Sequence, residues 1–336
     1  PFDYSYTDMT AAINNIDHLG RTGDNDIGQD IDADAGSKIA LRYTSGANTY
    51  QYGNPGDLYT TSVTRNFANV RTNYVYLSTT PWGETESLII SEFRTTQGAP
   101  EIPFYVTQKV ILRGNKKWFA IIYYIKNNSA ASNALNVRFF QGCDWNFNGD
   151  FNGDNSAYDA VNDTTYGYKP AGNPISYSGF SGYLNSVNHE VNAYGTMWNN
   201  IRNASLSNSN SYIGDAAIAL EWNLGNLNAG QTSVVEIIWG YGNTLNGQAQ
   251  QDMQNEINYG KSKLHDTGIS EILSPANNTI FQNSQGYVMI TATVVNYGLR
   301  DWYALPVHIS ITGPTGFTPI NTTFTNVTLT GLLIAA

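Results

Sequence analysis

The chain has 336 residues, of which 13% are charged and 13% aromatic, with 23 Tyr, 40 Asn and a formal net charge of −10. That acidic balance excludes nucleic acid as a partner, since phosphates need clustered Lys and Arg. A charged fraction about half the usual ~25% describes a surface of amides and hydroxyls, foreign to a crowded cytosol. With Cys143 alone no intrachain disulfide forms, and no apolar run reaches the roughly 18 residues of a membrane span.

Taken in chain order, Thr7 to Ile16 reads as a short helix capped by Thr7 or Asp8. The clearest hairpin runs from Phe104 to Ile125 around Gly114-Asn115, and its second arm, Trp118 to Ile125, is apolar on both faces. Such a strand is covered on each side, in the middle of a large sandwich. Leu135, Val137 and Phe139 alternate with Asn136 and Arg138 and continue the meander. Two more strands, Ala217 to Leu220 and Val234 to Trp239, flank the turn-rich Leu224-Gly225-Asn226-Leu227-Asn228-Ala229-Gly230-Gln231. Asn246 to Lys263 forms a second helix with Met253 and Ile257 on one stripe, and everything else reads as strand. The expected fold is all-β: a large antiparallel β-sandwich over residues 1–265, then a small domain over 266–336.

In the small domain Val288, Ile290, Ala292 and Val294 sit two apart and run into Asn296-Tyr297-Gly298, a half-buried strand ending in a turn. Val307-His308-Ile309-Ser310-Ile311 and Val327-Thr328-Leu329-Thr330 add further strands. With Ser274-Pro275-Ala276-Asn277-Asn278, these segments resemble the CARDB family, immunoglobulin-like modules of archaeal and bacterial surface proteins. The resemblance covers a fifth of the chain and implies a small immunoglobulin-like β-sandwich in an extracellular, structural setting, without catalytic residues. Leu299 to Tyr303 departs from the small polar residues usual after the turn. The large domain, by the order of its hairpins, is similar to sandwich domains near carbohydrate-active enzymes and sugar mutarotases.

The sharpest chemical motif is Asp144 to Asn155. Oxygen donors at alternate positions, Asp144, Asn146, Asn148, Asp150, Asn152 and Asp154, with glycines between, are what Ca²⁺ needs to gather its oxygens. Asn155 stands where an EF-hand has its closing Glu, and the Asp150 frame closes on Val161, so the motif predicts Ca²⁺ by composition and not by a complete loop. A second acidic run, Asp24, Asp26, Asp30, Asp32 and Asp34, is costly unless a cation or open water neutralises it.

Carboxylates for glycoside cleavage are available at Glu84, Glu86, Glu101, Asp144 and Glu190. His18, His189, His265 and His308 lack zinc-hydrolase spacing. Trp82, Trp145, Trp198, Trp222, Trp239 and Trp302 can stack on sugars or fill a core and an interface. Asn127, Asn162, Asn203, Asn277, Asn321 and Asn326 head Asn-x-Ser/Thr sequons for glycosylation. The apolar end, Leu332 to Ala336, invites strand pairing with another copy.

These features converge on an exported, non-enzymatic subunit of an extracellular filament or surface layer at the cell surface. Its main partner is itself, through β-strand and aromatic contacts, with surface glycans as further partners. The alternative is a secreted carbohydrate-binding or carbohydrate-cleaving sandwich.

Overall fold

The computed structural model describes residues 2–5, 13–18, 31–53, 64–79, 85–95, 101–113, 116–144, 154–168, 177–242, 247–265, 267–274, 291–296, 299, 302–311 and 320–329. They fall into two compact units, residues 1–260 and 261–336. The first is a mostly antiparallel β-sandwich, in which Asn48–Gly53 and Thr64–Asn66 pair parallel.

The chain opens with β1 (Phe2–Ser5), β2 (Ile13–His18), β3 (Ile31–Ser45), β4 (Asn48–Gly53) and β5 (Thr64–Asn66). Residues 13–18 pair with β1 and β3, so the helix expected over Thr7–Ile16 gives way to a strand from Ile13. Ladder pairing outweighs a helix propensity that Asn14, Asn15 and two Ile make weak; residues 7–12 lie outside the described residues. A meander of β6 (Ala68–Thr79), β7 (Thr85–Arg94), β8 (Phe104–Arg113) and β9 (Trp118–Asn127) follows in a second sheet.

β10 (Ala134–Asp144) does not extend that meander, contrary to the pattern of Leu135, Val137 and Phe139. It crosses to the first sheet and pairs with β3. The buried Asn127 makes the corner: its Nδ2 donates to Ser132 O and Leu227 O, both at 2.9 Å, and its Oδ1 accepts from Ser129 N. From there the chain stitches the sheets together. β11 (Asn155–Asp159), β12 (Thr164–Tyr168) and β13 (Tyr177–Gly182) join the second sheet, and β14 (Asn188–Ala193) the first. After α1 (Tyr194–Asn203), β15 (Ser211–Ile213) joins the second sheet, β16 (Ala216–Leu227) the first and β17 (Thr232–Gly242) the second, ahead of α2 (Ala249–Leu264).

The first sheet is ordered β1-β2-β3-β10-β16-β14, with β4 on the second half of β3; the second is ordered β15-β11-β12-β13-β17-β9-β8-β7-β6. Alternate side chains meet between them: Leu41, Tyr43, Phe139 and Leu220 from one face, Phe119, Ile121 and Trp239 from the other. A polar bridge crosses this core. Gln108 donates to Tyr123 Oη at 2.9 Å, and Tyr123 donates to Gln141 at 2.8 Å.

Each outer face carries a helix. α1 was expected as strand, because Gly195 and three Asn dilute its signal and Ala193 supplies no side-chain cap. Its Met197, Trp198 and Ile201 share a stripe that buries against Ala40, Phe140, Ala217 and Ala219. α2, close to its expected span, lies over the outer face at Gly240 and Gly242.

The second unit holds β18 (Thr267–Ser274) paired with β19 (Thr291–Asn296), and β20 (Trp302–Ile311) paired with β21 (Ile320–Leu329). Residues 330–336, with the apolar end, lie outside the described residues. No helix among the described residues is long and apolar enough to cross a membrane.

Candidate functional site

The proposed Ca²⁺ ligands flank a crossover. Asp144 ends β10 and is 5% exposed, while Asp154 precedes β11 and is fully buried. Asp154 O accepts from Gly214 N at 3.0 Å. Asn146, Asn148, Asp150 and Asn152 lie outside the described residues, as do Asp24, Asp26 and Asp30. Among the described residues no three His, Cys, Asp or Glu side chains gather to hold a metal.

Three of the acids considered for glycoside chemistry are engaged within the fold. Glu86 on β7 pairs with Arg113 on β8 at 2.7 Å, with both side chains buried. Glu101 accepts from the buried Tyr52 hydroxyl. Glu190, on β14 and fully buried, accepts from Ser207 N at 2.5 Å, from Ser207 Oγ at 2.9 Å and from Asn192 Nδ2 at 2.8 Å. These contacts spend the carboxylates on holding the fold; Glu190 pins the segment that follows α1. Glu84 is outside the described residues. Of the Trp candidates, Trp198, Trp222 and Trp239 are core or near-core residues, while Trp82 and Trp145 lie outside the described residues and the side chain of Trp302 is not described.

The sequons separate sharply. Asn127 is the buried corner described above, with both amide hydrogens donated inside the protein, so it offers no surface for a glycan. Asn162 is half-buried, its Nδ2 bonded to Asp159 Oδ2 at 2.6 Å, and Thr164 of its sequon is fully buried. Asn203 is exposed at the end of α1. Asn277 is outside the described residues, and the side chains of Asn321 and Asn326 on β21 are not described.

The feature that pattern reading missed is a strap, residues 183–187, joining β13 to β14 across the side of the sandwich. Tyr183 N donates to Glu236 O on β17, and Val187 N donates to Glu221 O on β16, each at 2.8 Å. Glu221 itself is fully buried, accepting from Arg138 at 3.0 Å and from Asn188 at 2.9 Å. The strap's middle is bonded to Asp163 in the β11–β12 turn, which accepts from Ser186 N at 2.6 Å, Ser186 Oγ at 2.7 Å and Tyr158 Oη at 2.7 Å. Burial, and then the bond to Asp163 and its charge, push the Tyr158 phenol up to about 12.

The strap and the turn together expose Val161 (93%), Leu184 (66%), Val187 (53%) and Tyr183 (41%), four of the eight large apolar side chains most exposed among the described residues. Beside them opens a cavity of about 220 Å³ lined by Leu184, Val187, Trp222, Leu224 and Val235. Gly182 lets the strap turn this tightly, because a Cβ there would stand 2.5 Å from Leu184 O and 2.7 Å from Trp222 Nε1. The sequence signal was the short run Tyr183-Leu184-Asn185-Ser186-Val187 between Gly182 and Asn188, apolar yet too short for an element.

On the outer face of the second sheet Tyr168 and Tyr177 are cross-strand partners with rings stacked at 4.9 Å, and Tyr166 adjoins both. Gln250 of α2 donates to Tyr166 Oη at 3.0 Å.

No known family's sequence pattern matches the chain. Among solved structures, a bacterial glucoamylase complexed with acarbose is similar at 9% identity and a TM-score of 0.44, over 74% of this chain and 31% of the other. A human-microbiome protein described as a kojibiose phosphorylase is similar at 8% identity and a TM-score of 0.34, over 67% of this chain and 29% of the other. The chain thus spans less than a third of either protein's length, and at this level neither activity transfers to it.

Proposed function

We propose that the protein is a non-enzymatic structural subunit that is exported and assembles with copies of itself into a filament or surface layer. The observation that carries this reading is the exposure of Val161, Tyr183, Leu184 and Val187 on the 183–187 strap and the turn bonded to it. Exposed apolar clusters of this kind mark association surfaces. The edge strand fits the same reading: β6, 12 residues long, ends the second sheet with β7 as its pairing partner among the described residues. An edge of that length templates another strand.

Electron microscopy of the purified full chain tests the proposal. Regular polymers support it, and discrete particles that release sugar from polysaccharide overturn it.

Ca²⁺ belongs to the same proposal, between Asp144 and Asp154 with Asn146, Asn148, Asp150 and Asn152. Its support is the alternation of oxygen-bearing side chains from Asp144 to Asp154, the composition that Ca²⁺ needs. A melting midpoint unchanged by EDTA rejects it.

The second reading, carbohydrate binding, is favoured by the half-exposed Tyr168 and Tyr177 beside Tyr166, whose phenols supply hydrogen-bonding groups and ring faces of the kind that sugars use. Glycan-array binding lost in Tyr177→Ala decides for it.

A further inference from the structure

We infer that the outer face of the first sheet binds a singly charged carboxylate flanked by hydroxyls, as a sugar acid presents it, with the guanidinium groups of Arg42 and Arg138 as its receptor. The inference stands apart from the structural-subunit reading, and either can fail without the other.

Arg42 on β3 and Arg138 on β10 are direct partners across the ladder that joins these strands. Their chain neighbours Leu41, Tyr43, Val137 and Phe139 belong to the core, so both arginines stand on the opposite face of the sheet. Like charges directly opposite on adjacent strands repel. One carboxylate answers the two. Glu221 on β16, facing outward between the core residues Leu220 and Trp222, accepts from Arg138 Nη1 at 3.0 Å and from Asn188 Nδ2 at 2.9 Å. This trio keeps one positive charge in excess, in a chain whose net charge is −10.

Arg42 carries that excess. A guanidinium has five N–H donors, and among the described residues Arg42 places one, on Gln51 Oε1 at the long distance of 3.5 Å. Burial, and then the charge of Arg138, push its guanidinium below the ordinary value, and the opposing pull of Glu221 does not cancel them. The group is nevertheless held in place. Gln51 is 4% exposed, and its Nε2 donates to Ile201 O near the end of α1 at 3.0 Å, which leaves Oε1 for Arg42. Glu221, fully buried and bonded to Asn188, holds Arg138. Two forks anchored on neighbouring strands have little freedom to lose when a ligand arrives.

Charge and shape select the ligand. A monoanion neutralises an excess of one positive charge, whereas a dianion brings a surplus that the acidic chain opposes. A carboxylate is planar and matches a guanidinium fork two bonds at a time. Thr44 lies two residues from Arg42 on the same face, its Oγ1 3.4 Å from that of its cross-strand partner Thr49. Both side chains are half-buried, and their hydroxyls suit those next to the carboxylate of a sugar acid.

Isothermal titration calorimetry on the full chain at low salt tests the inference, with sodium glucuronate as ligand, glucose as its neutral counterpart and sodium sulfate as the dianion. Glucuronate should bind saturably at one site, at least about tenfold more tightly than either comparison compound. Arg42→Gln should weaken it by a similar factor, and Arg42→Lys, which keeps the charge and loses the fork, by less. Without ligand, the melting midpoint of Arg42→Gln should equal or exceed that of the unmodified chain, because a repelled cation has gone. Glucuronate that does not saturate, glucose or sulfate that binds as tightly, an affinity unchanged in Arg42→Gln, or a midpoint lowered by that substitution each overturns the inference.

Discussion

The two helices cover the same kind of surface in different ways. α1 packs on the first sheet through side chains: a Cβ on Gly142 would stand 2.8 Å from Trp198 Cζ3 and 2.9 Å from Ile201 Cδ1. α2 packs on the second sheet through its backbone, since a Cβ on Gly242 would lie 1.9 Å from Ala249 O and 2.5 Å from Met253 N. Gly240 adds a second backbone approach, 2.9 Å to Met253 O, while its contact with Ile257 and those of Gly260 with Trp118 and Ile238 are to side chains. Seating a helix on side chains leaves slack that rotamers absorb, whereas seating it on backbone leaves none.

The contrast is open to direct attack. Gly242→Ala should cost the most, upwards of about 3 kcal/mol, because neither contacting atom can move without displacing α2; a melting midpoint within a degree of the unmodified chain would refute backbone seating. Asn127→Ala, away from both helices, gauges what a buried polar corner contributes. It should cost about 2–3 kcal/mol by leaving Ser132 O and Leu227 O without their donor, and chemical denaturation measures it. Gly142→Ala should cost only about 1–2 kcal/mol, and combining it with Trp198→Leu should recover part of the loss. Strict additivity of the pair would contradict side-chain seating.

The smallest effect is a pH dependence at the strap. Folding raises the Tyr158 phenol from 10.0 to about 12, so the folded state holds this proton more tightly than the unfolded one. Its contribution is complete below pH 10 and is lost as pH climbs toward 12. Tyr158→Phe should therefore melt with a shallower alkaline decline than the unmodified chain between those limits, as read by circular dichroism.

What the amino-acid pattern revealed follows the same physics. The β8–β9 hairpin and α2 were legible because long runs repeat one period, and the all-β class follows from their dominance. Local patterning says which face of β10 is buried and is silent about which sheet receives it; the crossover depends on Asn127 finding Leu227, 100 residues away. α1 was hidden because its buried stripe is Met, Trp and Ile spread among Asn, a composition shared with neighbouring loops. At the candidate site the acids were visible as letters, yet their engagement by Arg113, Tyr52 and Ser207 is a matter of tertiary contact. The strap was illegible for the opposite reason: five residues carry no period, and their exposure is set by Asp163 in a different hairpin.

Cys143 has a practical consequence. It is fully buried, and burial together with the neighbouring Asp144 pushes its thiol well above the ordinary value. Thiolate is the reactive form, so an alkylating reagent should find nothing to modify until the sandwich opens. The chain therefore carries its own single-site clock for unfolding, readable by mass spectrometry without adding a label or changing a residue.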